Sequence, residues 1–187
     1  MKIGSENDVQ ATADLDRSSN VGMVNTMKTR YDIECYDKNG NLKWSDYFEN
    51  LVVNEGLDDL LDKYFKGSSY TASFSVGLTD GTPTFAAGDT MSSHAGWAEV
   101  TAYDEAARPS LTLGSVSSQS VDNSSSKAAF TISANGTTVG GAFVVTDNTK
   151  GGTSGILYGG GSFTAGNKGT DDGDTLSVTV TLTTSAS

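Results

Sequence analysis

DTLSVTVTLTTS, residues 174 to 185, is the stretch that decides the fold. Leu176, Val178, Val180 and Leu182 alternate with Ser177, Thr179, Thr181 and Thr183. A period of two puts every apolar side chain on one face of an extended chain, so one face is buried and the other wet. Threonine on the wet face is itself a good strand former. The preceding residues, TDDGD at 170 to 174, have the composition of a tight turn.

Working outward from there, the same pattern recurs. Ile156, Leu157 and Tyr158 predict a short strand before Gly159-Gly160-Gly161, which reads as a turn, and Phe163 marks another strand. Phe130 and Ile132 precede Asn135-Gly136, a hairpin signal, with Val139, Ala142, Phe143, Val144 and Val145 as the return strand. Ala72, Phe74, Val76 and Leu78 alternate with small residues. Tyr31, Ile33 and Cys35 alternate with Arg30, Asp32 and Glu34, then meet Asn39-Gly40, the preferred pair for the positive-φ positions of a hairpin turn. Leu42 and Trp44 continue the hairpin; Tyr47, Phe48, Leu51, Val52 and Val53 break the alternation and predict a bulge or bend. With 22 Gly and 2 Pro among 187 residues, the chain suits many short strands and tight turns. The pattern predicts a mainly β protein of roughly eight strands, an antiparallel β-sandwich of the jelly-roll-like kind.

One segment departs from this period. In NLVVNEGLDDLLDKYFKG, residues 50 to 67, Leu57, Leu60, Leu61, Tyr64 and Phe65 fall at helical spacing and share one face. Asn54 is suited to the N-cap and Gly67 to the left-handed closing residue, which predicts a helix over about residues 55–66. So short a helix needs tertiary support, so the five apolar residues are expected to form core against a sheet. The domain organisation expected is an extended arm over residues 1–28 and a β-sandwich domain over residues 29–187. The arm is polar and without period. Its spaced apolar residues, Ile3, Val9, Leu15, Val21, Met23, Val24 and Met27, are candidate contacts to a partner surface.

Candidate chemistry is sparse. His94 is the one histidine, and no nucleophile elbow accompanies it, so a packed loop histidine beside Trp97 is expected. Cys35 is the one cysteine and excludes an internal disulfide. One His and one Cys far apart do not make a zinc site. Asp171, Asp172 and Asp174 are the best metal candidates, as oxygen ligands for a hard cation, although their spacing is not that of an EF-hand loop. GNKGT at 166 to 170 lacks the upstream glycine of a phosphate loop. No enzyme activity and no cofactor is expected. The net charge of −11 argues against non-specific binding of nucleic acid or of anionic membranes. The first residues lack the apolar run of a signal peptide, so synthesis in a cytoplasm without ordinary export is expected.

The order NLVVNEGLDDLLD, a strand ending SVGL, a loop with DTMSSHAGW and TAYDEAARP, and a β-rich tail ending DTLSVTVTLTTSA resembles a group of tailed-bacteriophage virion proteins, over about residues 29 to 187. The pattern is similar to the head decoration, or cement, proteins of some short-tailed phages. That resemblance implies a jelly-roll-like domain on the capsid exterior, often trimeric, bracing neighbouring major capsid subunits and stabilising the expanded head. The partners implied are the major capsid protein and further copies of this chain. The alternatives are a neck, head–tail joining or tail accessory or fibre protein, which copy number separates, and a carbohydrate-binding module that would stack sugar rings on Trp97 and Tyr103. An esterase or lysin built on His94 ranks last.

Overall fold

The alternating stretch at 174–185 becomes the centre of a sheet. A computed structural model describes residues 26–67 and 73–185. In chain order these form β1 (Thr26–Tyr36), β2 (Leu42–Glu49), β3 (Leu51–Val52), α1 (Asn54–Phe65), β4 (Ser75–Thr79), β5 (Ser120–Asp122), β6 (Ala128–Thr131), β7 (Thr137–Val139), β8 (Gly141–Val145), β9 (Leu157–Ser162), β10 (Lys168–Thr170) and β11 (Thr175–Ser185). The larger sheet runs β2-β1-β11-β5, with β6 also on β11. The second runs β3-β9-β8-β4, and β7 and β10 form a separate ribbon. All pairings between strands are antiparallel.

The two larger sheets enclose one core. Tyr31, Ile33 and Cys35 of β1 and Leu176, Val178 and Val180 of β11 pack with Val76 and Leu78 of β4, Ala142 and Val144 of β8, and Tyr158 of β9. These are the alternating positions that the period of two selects. β8 is buried at every residue, because its other face is covered as well. Phe143 and Val145 point away from the first core into a second one, with Val53, Met91, Trp97 and Leu157. The mainly β sandwich with one helix is therefore present, with the long segment 80–119 lying over one of its faces.

That segment is also bonded along the β4 edge. Val100 N–H donates to the Leu78 carbonyl (2.9 Å), Val76 N–H to that of Pro109 (2.9 Å) and Leu111 N–H to that of Phe74 (2.8 Å). An edge strand left bare would template aggregation, and this loop covers it. Arg108 holds the loop in place. Its guanidinium is buried and donates to both carboxylate oxygens of Glu99 (2.9 and 2.7 Å), to the Asp147 carbonyl (3.0 Å) and to the Gly152 carbonyl (2.6 Å). The planar fork suits such a site because Nε and both terminal nitrogens each meet an acceptor.

The opposite edge of β11 is shared. β6 pairs with its first half and β5 with its second, and the gap between them is closed by a side chain. Asn123 is buried; its Oδ1 accepts from Val180 N–H (2.7 Å) and its Nδ2 donates to the Val178 carbonyl (3.2 Å). The amide thus replaces the two backbone partners that an uninterrupted strand would provide.

Several expectations need correction. Gly159-Gly160-Gly161 is not a turn but part of β9. A Cβ on Gly160 would lie 2.3 Å from the Phe85 ring, and one on Gly161 2.6 Å from the Phe48 ring, so bare strand residues let aromatic rings lie on the sheet. Gly136 does take the left-handed conformation, but the strands around that turn separate: β6 joins β11 and β7 joins β10. β1 begins at Thr26, inside the expected arm of residues 1–28, and Met27 is a half-buried strand residue packed on the core, not an arm contact. The remaining arm residues, Ile3, Val9, Leu15, Val21, Met23 and Val24, lie outside the described residues. The largest correction concerns α1: Leu57, Leu60, Leu61, Tyr64 and Phe65 are all exposed, not core.

Candidate interaction surface

α1 forms where the sequence predicts it, but it is mounted the other way round. Val53, not Asn54, occupies the N-cap position, with no side-chain cap bond. Val53 is instead a buried apolar anchor, and the Asn54 N–H donates to the Ala87 carbonyl (2.9 Å). Gly67 closes the helix with φ near +69°.

The face turned to the protein is built from Gly56, Asp59 and Lys63, spaced at i, i+3 and i+7. Gly56 and Asp59 are the buried residues of the helix. Gly56 sits against the backbone of Tyr158, close enough that a methyl group would lie 2.9 Å from its carbonyl oxygen. The Glu55 carboxylate accepts the Leu157 N–H of β9 (3.1 Å), which ties the first turn to a strand. A carboxylate is also favoured at this end by the helix dipole. Lys63 lies beside Asp59 (4.0 Å) and Asp62 (3.7 Å), and Lys66 donates to Asp62 (2.6 Å).

The apolar stripe is thus left on the outside because the small residue that permits close approach is on the opposite face. Leu61 is 53 %, Tyr64 77 % and Phe65 74 % exposed. The Tyr64 and Phe65 rings meet edge to face at 5.0 Å. Leu60 and Tyr64 also form one wall of a cleft of about 170 Å³ between α1 and Tyr158. Leu51, just before the helix, is exposed too. Large apolar groups clustered on one mounted element mark contact surfaces, whereas isolated ones do not.

The other residues singled out in the sequence have structural surroundings. His94 stacks on Trp97 (centroids 3.6 Å apart, rings 9° from parallel), and its Nδ1 lies 3.1 Å from the Trp97 carbonyl. Trp97 and Tyr103 are buried, in the second and first cores respectively, so neither presents a ring to a sugar. Asp171, Asp172 and Asp174 do not converge as a cage. Lys43 donates to Asp171 (3.1 Å) and Asp174 (2.5 Å), Asp174 accepts the Asp171 N–H (2.8 Å), and the Asp172 N–H turns to Asn135 (3.0 Å). Among the described residues no group of three or more His, Cys, Asp or Glu is placed to hold a metal ion. Cys35 faces the core, and burial, with Asp174 adding to it, pushes its thiol up to about 12. Among the described residues no helix is long and apolar enough to cross a membrane.

No protein-family model matches the chain, and no similar curated protein or solved structure was found.

Proposed function

We propose that this chain is a non-enzymatic structural protein of a phage virion, a decoration protein that binds the outer surface of the expanded capsid. The observation that carries this reading is the outward apolar face of α1. Five apolar side chains are held on a helix that is fixed by Val53, Glu55 and Gly56, so the fold does not consume them. Burying a leucine- or phenylalanine-sized side chain on association contributes roughly 1.5–3 kcal/mol before the cost of association is subtracted. A few such groups on a rigid mount make a modest contact. Copies joined as a trimer would turn modest contacts into long residence through avidity.

The partner of this face is the major capsid protein. A ligand that binds only the expanded shell stabilises that shell by mass action, whatever the bond it makes. The net charge of −11 keeps the face from acting as a general binder of nucleic acid. The resemblance to phage decoration proteins supplies the identity of the shell, and the helix supplies the means of attachment.

Sedimentation with purified expanded capsids tests this. The unaltered chain is expected to co-sediment, and Leu61→Asp with Phe65→Asp to remain in the supernatant with an unchanged thermal melt. Equal co-sedimentation of both forms would remove α1 from the contact. Failure of the unaltered chain to bind capsids, with a dozen or fewer copies per virion, would move it to the neck or tail.

A further inference from the structure

The apolar surface that α1 presents does not stop at the helix. On one side its stripe ends at Leu60 and Tyr64, which line the cleft beside Tyr158 together with Asp59 and Lys63. Asp59 and Lys63 face each other there (4.0 Å), so the cleft floor carries no net charge. Tyr158 also lines a second depression, an apolar groove of about 300 Å³. Met27 and Leu182 of the larger sheet, Phe74, Leu111, Leu113 and Val116 line it as well. Phe74 meets the Tyr158 ring edge to face, with centroids 5.2 Å apart, so aromatic surface links cleft and groove. Val116 is 74 % exposed, and its position is built rather than frayed. It stands on a tight hairpin in which the Gly114 N–H donates to the Asp122 carbonyl (2.7 Å) and Ser117 and Ser120 exchange backbone bonds (2.9 Å each). Ser118 and Gln119 hold φ of 49° and 59°, the two positive values that a primed hairpin turn requires.

We propose that the docking surface for the capsid runs from the outer face of α1, past Tyr158, into this groove, and that an apolar segment of the major capsid protein lies in the groove. The proposal rests on the capsid reading above and adds how far the contact extends and what enters it. Size is the first reason. A standard interface takes roughly 20–30 residues from each partner, and the outer face of α1 offers only a handful. Continuity is the second. Tyr158 gives the contact an apolar path to grow along, from Leu60 and Tyr64 at one end to Val116 at the other. The remaining exposed apolar sites are placed differently. Tyr47 carries the Arg30 guanidinium over its ring (4.0 Å), and Leu42 is paired with Tyr36 at the far end of β1 from Met27, roughly 30 Å away. The chemistry of the walls selects the occupant. No charged side chain lines the groove, so a charged segment would lose its water there without a partner, and an apolar one would not. The groove thus takes an apolar anchor from the capsid protein while α1 packs on the surface around it.

Sedimentation of the full chain with expanded capsids, over a range of protein concentrations, separates this extension from the reading it rests on. Val116→Asp places a charge at an exposed site on the groove wall. It is expected to raise the half-saturation concentration at least tenfold with an unchanged thermal melt. Leu42→Asp, also an exposed apolar site but distant from the groove, is expected to leave it within about twofold. If Val116→Asp binds as the unaltered chain does while Leu61→Asp with Phe65→Asp does not bind, the extension is overturned and the contact stays on α1 alone. An unaltered chain that fails to bind overturns both. A second measurement does not depend on losing affinity. Val116→Cys is labelled with a benzophenone maleimide, and the native Cys35 is fully buried and does not react. Irradiation on capsids is expected to cross-link position 116 to the major capsid protein, and a label at Leu42→Cys to give none. Cross-linking no greater from 116 than from 42, or a product joining two copies of this chain, would overturn the groove's part in the contact.

Discussion

Gly56 of α1 and Tyr158 of β9 are in backbone contact, and that contact sets which face of the helix looks outward. A Cβ at Gly56 would meet the Tyr158 carbonyl oxygen at 2.9 Å and its Cα at 3.0 Å. Alanine in place of a glycine inside a helix normally gains about 0.5–1 kcal/mol, and less in the first turn, where Gly56 sits. Here it must push the helix off the sheet, a strain of about 1–3 kcal/mol. Gly56→Ala is therefore expected to lower stability in urea denaturation, by about 1 kcal/mol net. A clear gain in stability would show that the helix is free to shift.

Substitutions on the outer face should behave in the opposite way. Leu61→Ala and Tyr64→Ala remove exposed side chains and are expected to change stability by no more than about 0.5 kcal/mol, the range of ordinary surface changes. Leu157→Ala, in the buried second core, should cost about 2–5 kcal/mol under the same conditions. Comparable losses at Leu61 and Leu157 would mean that the apolar stripe is covered in solution.

Asn123→Ala leaves the Val180 N–H and the Val178 carbonyl without their side-chain partner in the middle of the larger sheet. A buried polar group left unpaired costs about 1–3 kcal/mol. Amide exchange offers a local readout: protection at Val180 is expected to fall further than at Ile33, which lies on the neighbouring strand.

Arg108 and Glu99 are a buried, bidentate ion pair, and removing one partner strands the other's charge. Arg108→Met should cost about 3–5 kcal/mol. Adding Glu99→Gln should recover part of that loss, because the buried carboxylate is then gone and the one left nearby, Asp147, is partly exposed. A double variant as unstable as the sum of both single ones would refute the coupling.

Asp46 supplies an acid-sensitive contribution. Burial alone would raise its pKa. The Tyr47 N–H (2.8 Å), the Lys168 ammonium (3.2 Å) and the Ala165 N–H (3.1 Å) outweigh burial and hold the carboxyl below its usual range. A group whose pKa is depressed on folding adds stability above its unfolded value, about 3.9 for aspartate, and loses it as pH falls through the folded value. The urea midpoint should drop below about pH 4, and Asp46→Asn should drop less steeply. Parallel pH profiles would assign the acid sensitivity to other carboxylates.

The strands with one wet face were legible in the sequence, since β1 and β11 show the alternation that such a face requires. β8 was legible only as an apolar run, because cores on both its faces erase the period. The β9 glycines read as a turn because their reason, the Phe48 and Phe85 rings lying over them, is distant in sequence. Asn123 was hidden in a serine-rich stretch for the same cause: its partners are more than fifty residues away. The helical period of α1 identified which residues share a face but not what covers that face. The informative signal was on the other side, where Gly56, Asp59 and Lys63 leave room for a strand to approach.

The pairing of β1 with β11 bears on how the chain reaches this structure. Eleven residues at one end of the described chain are zipped, register for register, to eleven at the other, and the pair occupies the middle of the larger sheet. During synthesis β1 leaves the ribosome long before β11 exists, and until then its apolar side chains face water or a chaperone. Closing so large a loop precedes any reward from the ladder, so folding belongs to the slow, high-contact-order class, on the order of milliseconds to seconds. Loss of β11 removes the central partner of β1, β5 and β6 together.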